Sequence, residues 1–589
     1  MATTLKEVDV VLVGMGWTGG ILAKELSDAG LSVVGLERGA SRSTDPDFSV
    51  PMIRDELRYA VRQELMQNAE RDTLSFRNNV KQTALPIRRL GSFLPGEGVG
   101  GAGVHWNGVT WRWSRIDHAI RTFYEERYGA DFVPGDMVLQ DWSISYEELE
   151  PYYDRFERVA GVSGRAGNVR GELRPGGNVF EGVRQSEYPL PPLEPAYSNI
   201  LFTEAAQELG YHPFPQPAAN ASEPYTNPYG LRLARCQYCG HCERFGCEAN
   251  AKGSPHNTVI PAAMRNASFE LRTQSWVTRI NSDPASGKAT GVSYTSMTNG
   301  EEYEQPAGIV ILCAYAINNV HLMLLSGIGK PYDPVSNSGV VGKNYCYQVD
   351  AGVTLFFGDR LFNPFMAAGA LGAVCDDFHA NEDFDRAAAG FIGGGTVRNS
   401  SSGGRPIQSR AMPPGTPRWG TGWKQATAQW YGRSMNVRGT VGNMPNRYNY
   451  YDLDPTYRNA LGQPLMRLTY DFVDNDRRAA QFMAEQAHRV ARVLNPDILT
   501  EPRALTGSYS IVPYQSTHNT GGTILGATPA EGVVNRYLQS WDLHNLFVMG
   551  AGVFPHNSAY NPTGPVGALA YWAADAIVNR YRHNPGPLV

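Results

Sequence analysis

VDVVLVGMGWTGGILAKELSDAGLSVVGLE, residues 8–37, decides the fold. Its first six residues are mostly apolar and predict a strand over 8–13. Gly14, Gly16 and Gly19 then stand at G-x-G-x-x-G spacing. Ile21, Leu22, Leu26 and Ala29 recur at helical intervals, and Gly30 reads as the cap that ends the helix. A second apolar run, 31–36, ends at Glu37, 23 residues after Gly14. Strand, glycine turn, helix, strand and acid in this order form a βαβ unit suited to a dinucleotide. Gly14 allows the tight turn, Gly16 lets a pyrophosphate approach the backbone, and Gly19 lets helix and strand pack closely. The helix N-terminus offers free N–H groups and a positive dipole end to the phosphates. Glu37 is placed to accept hydrogen bonds from both ribose hydroxyls. The competing reading is a glycine-rich turn with no ligand. The motif alone does not separate FAD from NAD.

This unit opens a chain of 589 residues with Lys+Arg 52 against Asp+Glu 57, a net charge of −5. Binding nucleic acid through its phosphates needs a basic surplus, which is missing. Charged residues make up 19%, below the roughly 25% of an average globular chain. Gly at 63 and Pro at 39 imply many turns and long loops. Length alone suggests several domains, although large α/β enzymes often use fewer. No run of about 20 apolar residues is present to span a membrane. The chain enters its first strand too early to leave room for a signal peptide.

Farther along, the pattern predicts a helix over 55–68. A Ser145–Glu148 capping box precedes a helical run to Val159. A long loop follows over 163–197 and a short helix over 198–209. Strands and turns occupy 268–312, closing on an apolar strand at 309–312. Between 336 and 514 glycine- and serine-rich loops alternate with extended aromatic stretches. The helix at 476–494 carries Ala480, Met483, Ala487, Val490, Ala491 and Leu494 on one face. A strand at 545–548 and a helix over 564–580 return to α/β character. The fold class is therefore α/β, α+β overall: a Rossmann-like dinucleotide domain built from both ends of the chain, plus a sheet-containing substrate domain. The first is assigned 1–45, 90–120, 225–335 and 515–589, with an insertion at 232–256. The second takes 46–89, 121–224 and 336–514.

Four of the seven cysteines crowd into CQYCGHCERFGC: Cys236, Cys239, Cys242 and Cys247. A disulfide framework would scatter them, and such short loops would strain the bonds. Structural zinc usually pairs two separated C-x-x-C knuckles. Contiguous C-x2-C-x2-C spacing instead favours an iron–sulfur cluster. Such a cluster carries electrons one at a time. Cys313, Cys346 and Cys375 have no motif and read as small buried hydrophobes.

Six further segments carry a family resemblance. They are GEGVGGAGVHWNG (96–108), LCAYAINNVHLMLLSGIG (312–329), VVGKNYCYQ (340–348), THNTGGTILG (517–526), SWDLHNLFVMGAGVFP (540–555) and YNPTG (560–564). Together with residues 8–37 they resemble the glucose–methanol–choline (GMC) family of flavoenzymes, over the whole chain. Three positions depart from the family pattern: Glu97 where a basic residue or Asn is common, Tyr315 where Gly is usual, and Val320 where Pro is usual. Within the family the chain is most similar in style to the flavoprotein subunits of membrane-associated bacterial sugar-acid dehydrogenases.

The resemblance implies a GMC-type fold and FAD. It places flavin-nucleotide contacts at Gly14, Gly16, Gly19, Glu37, Gly98, Gly100, Gly101, Gly103, His105, Asn107, Val277, Gly550, Ala551, Pro562 and Thr563. It makes His518 the base and Asn561 its partner for the substrate oxygen; the competing readings are a structural histidine and a helix cap. His556 stands in reserve as a base. His105 is expected to bond the flavin covalently, the competing reading being a histidine packed beside the ring. The resemblance favours a three-iron cluster over a four-iron one, held by Cys236, Cys242 and Cys247, with Cys239 the less regular ligand. It implies a sugar-acid or polyol substrate, D-gluconate oxidised to 2-keto-D-gluconate first among them. The sibling reading is 2-ketogluconate or a sugar alcohol. Two rival readings are a non-catalytic flavin and cluster subunit and an oxidase with structural zinc. Partners would be a multi-haem cytochrome c subunit and a small subunit carrying the export signal. The location would be the periplasmic face of the bacterial inner membrane, with membrane contact through partners only. Arg398, Arg405 and Arg433 lie in the substrate domain as candidates for a carboxylate.

Overall fold

Strand Val8–Val13 is the centre of a parallel sheet, and its last four residues are buried. Phe269–Arg272, Val33–Leu36, Val8–Val13 and Glu302–Leu312 lie side by side in that order, all parallel. Leu546–Val548, from the far end of the chain, adds to the other side of Glu302–Leu312. Parallel strands buried on both faces read as continuous apolar runs, which explains their visibility in the sequence. The predicted strand at 309–312 is the end of an eleven-residue strand. Its first half turns antiparallel to Lys288–Ser296, which pairs in turn with Ser275–Asp283. The computed structural model describes residues 2–48, 65–88, 93–283, 285–364, 366–402, 411–502, 505–513 and 516–588.

Helix Trp17–Asp28 follows the glycine turn; Ala29 caps it and Gly30 takes the positive φ just beyond. Helix Tyr146–Ala160 has the expected capping box of Ser145 and Glu148. The sequence allots this helix to the substrate domain. Its Leu149, Tyr153 and Phe156 nevertheless pack in the same core as Trp17, Ala570 and Ala573. Helix Thr563–Ala576 closes that core. Most of the helix predicted over 55–68 falls outside the described residues, as does Arg405; 65–68 are not helical, and Met66 pairs with Gly96. No helix among the described residues is long and apolar enough to cross a membrane.

The second sheet is antiparallel. Its order is Ile498–Leu499, Gln348–Phe356, Ser434–Gly442, Gly395–Ser400, Gly372–Phe378, Pro213–Pro215. One face packs on helix Asp474–Val493, whose Ala479, Met483, Ala487 and Val490 meet Val353, Val397, Val437 and Val441. Gly395 and Gly439 bring the helix close: a Cβ on either would lie 2.5 Å from Met483. Alternation along each strand then sends Gln348, Asp350, Arg398, Ser400, Arg438 and Thr440 to the opposite face.

Candidate active site

At the turn after the first strand the three glycines have different surroundings. Gly14 has φ +96°, and its N–H donates to the Leu36 carbonyl at 2.8 Å. A Cβ on Gly19 would sit 2.1 Å from the Gly14 oxygen. Around Gly16, by contrast, the nearest described atom to such a Cβ is the Gly100 oxygen at 3.9 Å. Two glycines close the turn and the third leaves a cradle that a side chain would fill. Glu37 is buried and accepts from the backbone N–H groups of Met15 (2.9 Å), Gly39 (2.9 Å) and Gly98 (3.2 Å). Burial pushes its pKa up against those three donors and Arg38. Its carboxylate therefore ties the two glycine loops together, leaving it fewer free acceptor positions for ribose than the sequence implies. The Gly100 N–H donates to the Met15 carbonyl at 2.7 Å, a second tie between the loops.

These loops open one end of a cavity of about 370 Å³. Gly14, Gly16, Glu37 and Val277 border the cavity, and Gly101, Gly103, His105 and Asn107 border it too. At the far end stand Gly550, Ala551, Pro562, Thr563, His518 and Asn561. Gly19, Gly98 and Gly100 shape the loops without lining the cavity. FAD fits this arrangement, with the bare Gly16 backbone for its pyrophosphate and the lined channel leading to His518.

His518 and Asn561 meet: Asn561 Nδ2 lies 3.0 Å from His518 Nε2. Which atom donates follows from the groups behind them. Gln348 Nε2 donates to the carbonyls of Ser558 (2.9 Å) and Tyr560 (3.2 Å), so its Oε1 must accept. That oxygen lies 2.6 Å from His518 Nδ1, which therefore carries the proton. On the other side the Trp111 indole, a donor only, gives its N–H to Asn561 Oδ1 at 3.1 Å. Asn561 thus turns its NH2 to the imidazole, and His518 Nε2 keeps its lone pair. Burial lowers the His518 pKa to about 4, with Arg398 adding to the lowering and Asp350 opposing it. The imidazole is neutral at pH 7, with its basic nitrogen in the cavity. This arrangement can take a proton from a hydroxyl that binds at Asn561.

Sequence reasoning missed Trp111, Gln348, Asp350 and Arg438. Gln348 ends the family segment 340–348, and strand alternation beyond it gives the signal for Asp350. His556 is fully buried and bonded to backbone, with Nδ1 2.8 Å from the Asn557 oxygen, and it does not border the cavity. Arg433 does not border it either; its guanidinium donates to the Gly358 carbonyl. Tyr315 occupies a position with φ +79°, which accounts for the glycine usual there.

The cysteine segment contributes Glu243 and Arg244 to the cavity wall, while its four cysteines do not line it. The Arg244 N–H donates to the His105 carbonyl at 2.5 Å. Lys252 is buried and donates to the carbonyls of Trp106 (2.7 Å), Cys242 (2.9 Å) and Phe245 (2.9 Å). Burial pushes the thiol of Cys236 up to about 11 and that of Cys242 up to about 12, and the neighbouring thiols add to both shifts. Cys239 is exposed and Cys247 half-buried. Among the described residues no group of three or more His, Cys, Asp or Glu side chains is arranged to hold a metal ion. Cys313, Cys346 and Cys375 are buried, as expected.

Models of the GMC oxidoreductase family match residues 138–350 and 445–570. The gluconate 2-dehydrogenase flavoprotein of Pantoea cypripedii is 45% identical over 594 residues, covering 100% of this chain and 96% of that protein. The chain belongs to the GMC oxidoreductase family. It is an FAD-dependent oxidoreductase of CH–OH groups. The fructose dehydrogenase large subunit of Gluconobacter japonicus is 25% identical over 98% of this chain and 99% of that protein. A crystal structure of pyridoxine 4-oxidase from Mesorbium loti has a TM-score of 0.59 at 16% identity, covering 98% of this chain and 100% of that one. That likeness is one of fold.

Proposed function

We propose that the chain is the catalytic flavoprotein of a dehydrogenase that oxidises a sugar acid, D-gluconate at C2 to 2-keto-D-gluconate. The observation that carries it is the fixed order of hydrogen bonds from Gln348 through His518 to Asn561, in a chain 45% identical to a gluconate 2-dehydrogenase flavoprotein. The substrate hydroxyl takes the place of the direct Asn561–His518 hydrogen bond. Asn561 Nδ2 donates to its oxygen, and His518 Nε2 takes its proton. Gln348 then accepts from Nδ1–H and steadies the imidazolium. FAD bound in the cavity supplies the hydride acceptor. His105, buried beside the channel, is the residue to which a covalent flavin bond is assigned; acid precipitation that releases all the flavin overturns that bond.

The same proposal gives Cys236, Cys239, Cys242 and Cys247 an iron–sulfur cluster, three-iron rather than four-iron. A buried ammonium among the thiols, Lys252, suits an anionic centre, and the tie from Arg244 to His105 keeps the segment next to the flavin channel. Electron delivery to a multi-haem cytochrome c subunit, a small partner with the export signal and a periplasmic location complete the reading. Iron and sulfide analysis of the purified protein tests the cluster, and zinc without iron overturns it. For the substrate, anaerobic mixing with gluconate should bleach the flavin. A flavin that stays oxidised with gluconate, but bleaches with a neutral polyol, overturns the sugar-acid assignment.

A further inference from the structure

We infer that Arg398, with Arg438 beside it, binds the substrate carboxylate, so that the hydroxyl oxidised is the one next to that carboxylate. The inference rests on the sugar-acid reading and names the residues and the carbon it requires.

The wall of the antiparallel sheet carries the argument. Arg398 and Arg438 stand directly opposite one another on neighbouring strands. Like charges in that position repel. One carboxylate serves both: Asp350 accepts from Arg398 Nη2 at 3.2 Å and lies 3.8 Å from Arg438 Nη1. The Thr440 hydroxyl occupies the same carboxylate at 2.7 Å. Burial pushes the Asp350 pKa up, but Arg398, Arg438 and Thr440 outweigh it, so Asp350 stays ionised. Two guanidinium groups against one carboxylate leave a positive charge in excess on the cavity wall. The other carboxylates bordering the cavity are engaged elsewhere: Glu37 with backbone N–H groups, Asp72 with Arg38, Glu243 with Arg244. The Arg398 side chain is 13% exposed, and its buried Nε has no acceptor among the described residues. A buried guanidinium N–H left without a partner is unfavourable, and a ligand carboxylate would supply one.

Position follows from the strand. Gln348 and Asp350 are two residues apart on one face, so about 7 Å separates their side chains. Gln348 carries His518 and Asp350 carries Arg398. His518 and Arg398 both border the cavity, held by side chains two residues apart on that face, and a 2-hydroxy acid presents its hydroxyl and carboxylate on adjacent carbons to two such neighbours.

The experiment compares gluconate with gluconamide, which keeps the carbon chain and loses the charge. Flavin-loaded Arg398→Ala and Arg398→Gln variants should lose on the order of 100-fold in kcat/KM for gluconate relative to gluconamide, mostly through KM. Arg398→Lys should recover part of that ratio. Arg438→Ala, whose side chain is 52% exposed, serves where Arg398 variants lose flavin; it should shift the ratio in the same direction by less. A flavin-loaded variant that keeps the wild-type ratio overturns the inference. So does a gluconate product with its oxo group anywhere but C2. If instead the wild-type enzyme oxidises the neutral compound and not gluconate, the sugar-acid reading fails and the inference falls with it.

Discussion

The two ends of the cavity are built in opposite ways. The dinucleotide end comes from two short runs of chain, 14–19 and 96–103, in which each residue's surroundings are set by close neighbours. The substrate end takes one or two residues from each of several distant segments: Trp111, Gln348, Asp350, Arg398, Arg438, His518 and Asn561. Steric closeness decides the first, so a single methyl group should break it. The order of donors and acceptors decides the second, so it should break by degrees. The largest effect is expected at the first end. Gly19→Ala places a carbon 2.1 Å from the Gly14 oxygen, and backbone there must move. Overpacking of this kind costs about 1–3 kcal/mol or more, at the point where the pyrophosphate approaches. The flavin-to-protein ratio of the purified variant should collapse; a full complement of flavin would show that the turn tolerates the methyl.

At the other end, His518→Ala should leave the flavin bound and remove the base. Loss of a general base typically costs about 10²–10⁴-fold, so kcat should fall within that range while the flavin spectrum stays intact. Stopped-flow reduction by substrate separates the two outcomes.

This contrast also explains what the sequence could and could not disclose. Gly14, Gly16, Gly19 and Glu37 were legible because one short motif carries strand, turn, helix and acid together. His518 and Asn561 were legible only through family segments, since nothing in their spacing of 43 residues brings them into contact. Gln348, Asp350 and Arg438 were hidden for a different reason. Their roles depend on which face of an antiparallel sheet they occupy, and helix Asp474–Val493 settles that by covering the other face. Glu37 carries a second role that the motif does not disclose, because its carboxylate also serves the loops' own N–H groups. The cysteine spacing was visible, but a spacing pattern contains no distances between thiols.

A smaller effect tests how His518 is held. Gln348 fixes the proton on Nδ1, so Gln348→Leu should lower kcat by about 10–100-fold without displacing flavin, as an imidazole free to take the other tautomer donates where it must accept. The pH profile distinguishes this from a general packing defect. The working form of His518 is neutral, and its pKa is lowered to about 4. The rate should therefore rise with pH through about 4 and be level by pH 6.5, the ordinary range for histidine. Gln348→Glu puts a carboxylate beside Nδ1, which favours the imidazolium, so the acid limb should move up toward neutrality. An acid limb unchanged in Gln348→Glu would remove Gln348 from the network.

The smallest effect lies between the two ends, at Tyr315, where the family usually has glycine. Its φ of +79° is a position that costs a side-chain-bearing residue about 1–3 kcal/mol. Two hydrogen bonds hold it there. The Tyr315 hydroxyl donates to the Thr517 carbonyl at 2.9 Å and accepts from Asn519 Nδ2 at 2.8 Å. Both partners flank His518, so the strained residue braces the loop that carries the base. Tyr315→Phe keeps the strained backbone and the ring while removing both bonds. At about 1 kcal/mol for each bond, the holoenzyme should lose about 2 kcal/mol in denaturant unfolding. Because Gln348 and Asn561 still hold the imidazole, kcat should fall only a few-fold. A stability loss with kcat nearly kept would place the bracing in the loop, whereas a drop in kcat matching that of Gln348→Leu would make Tyr315 part of the proton-accepting network itself.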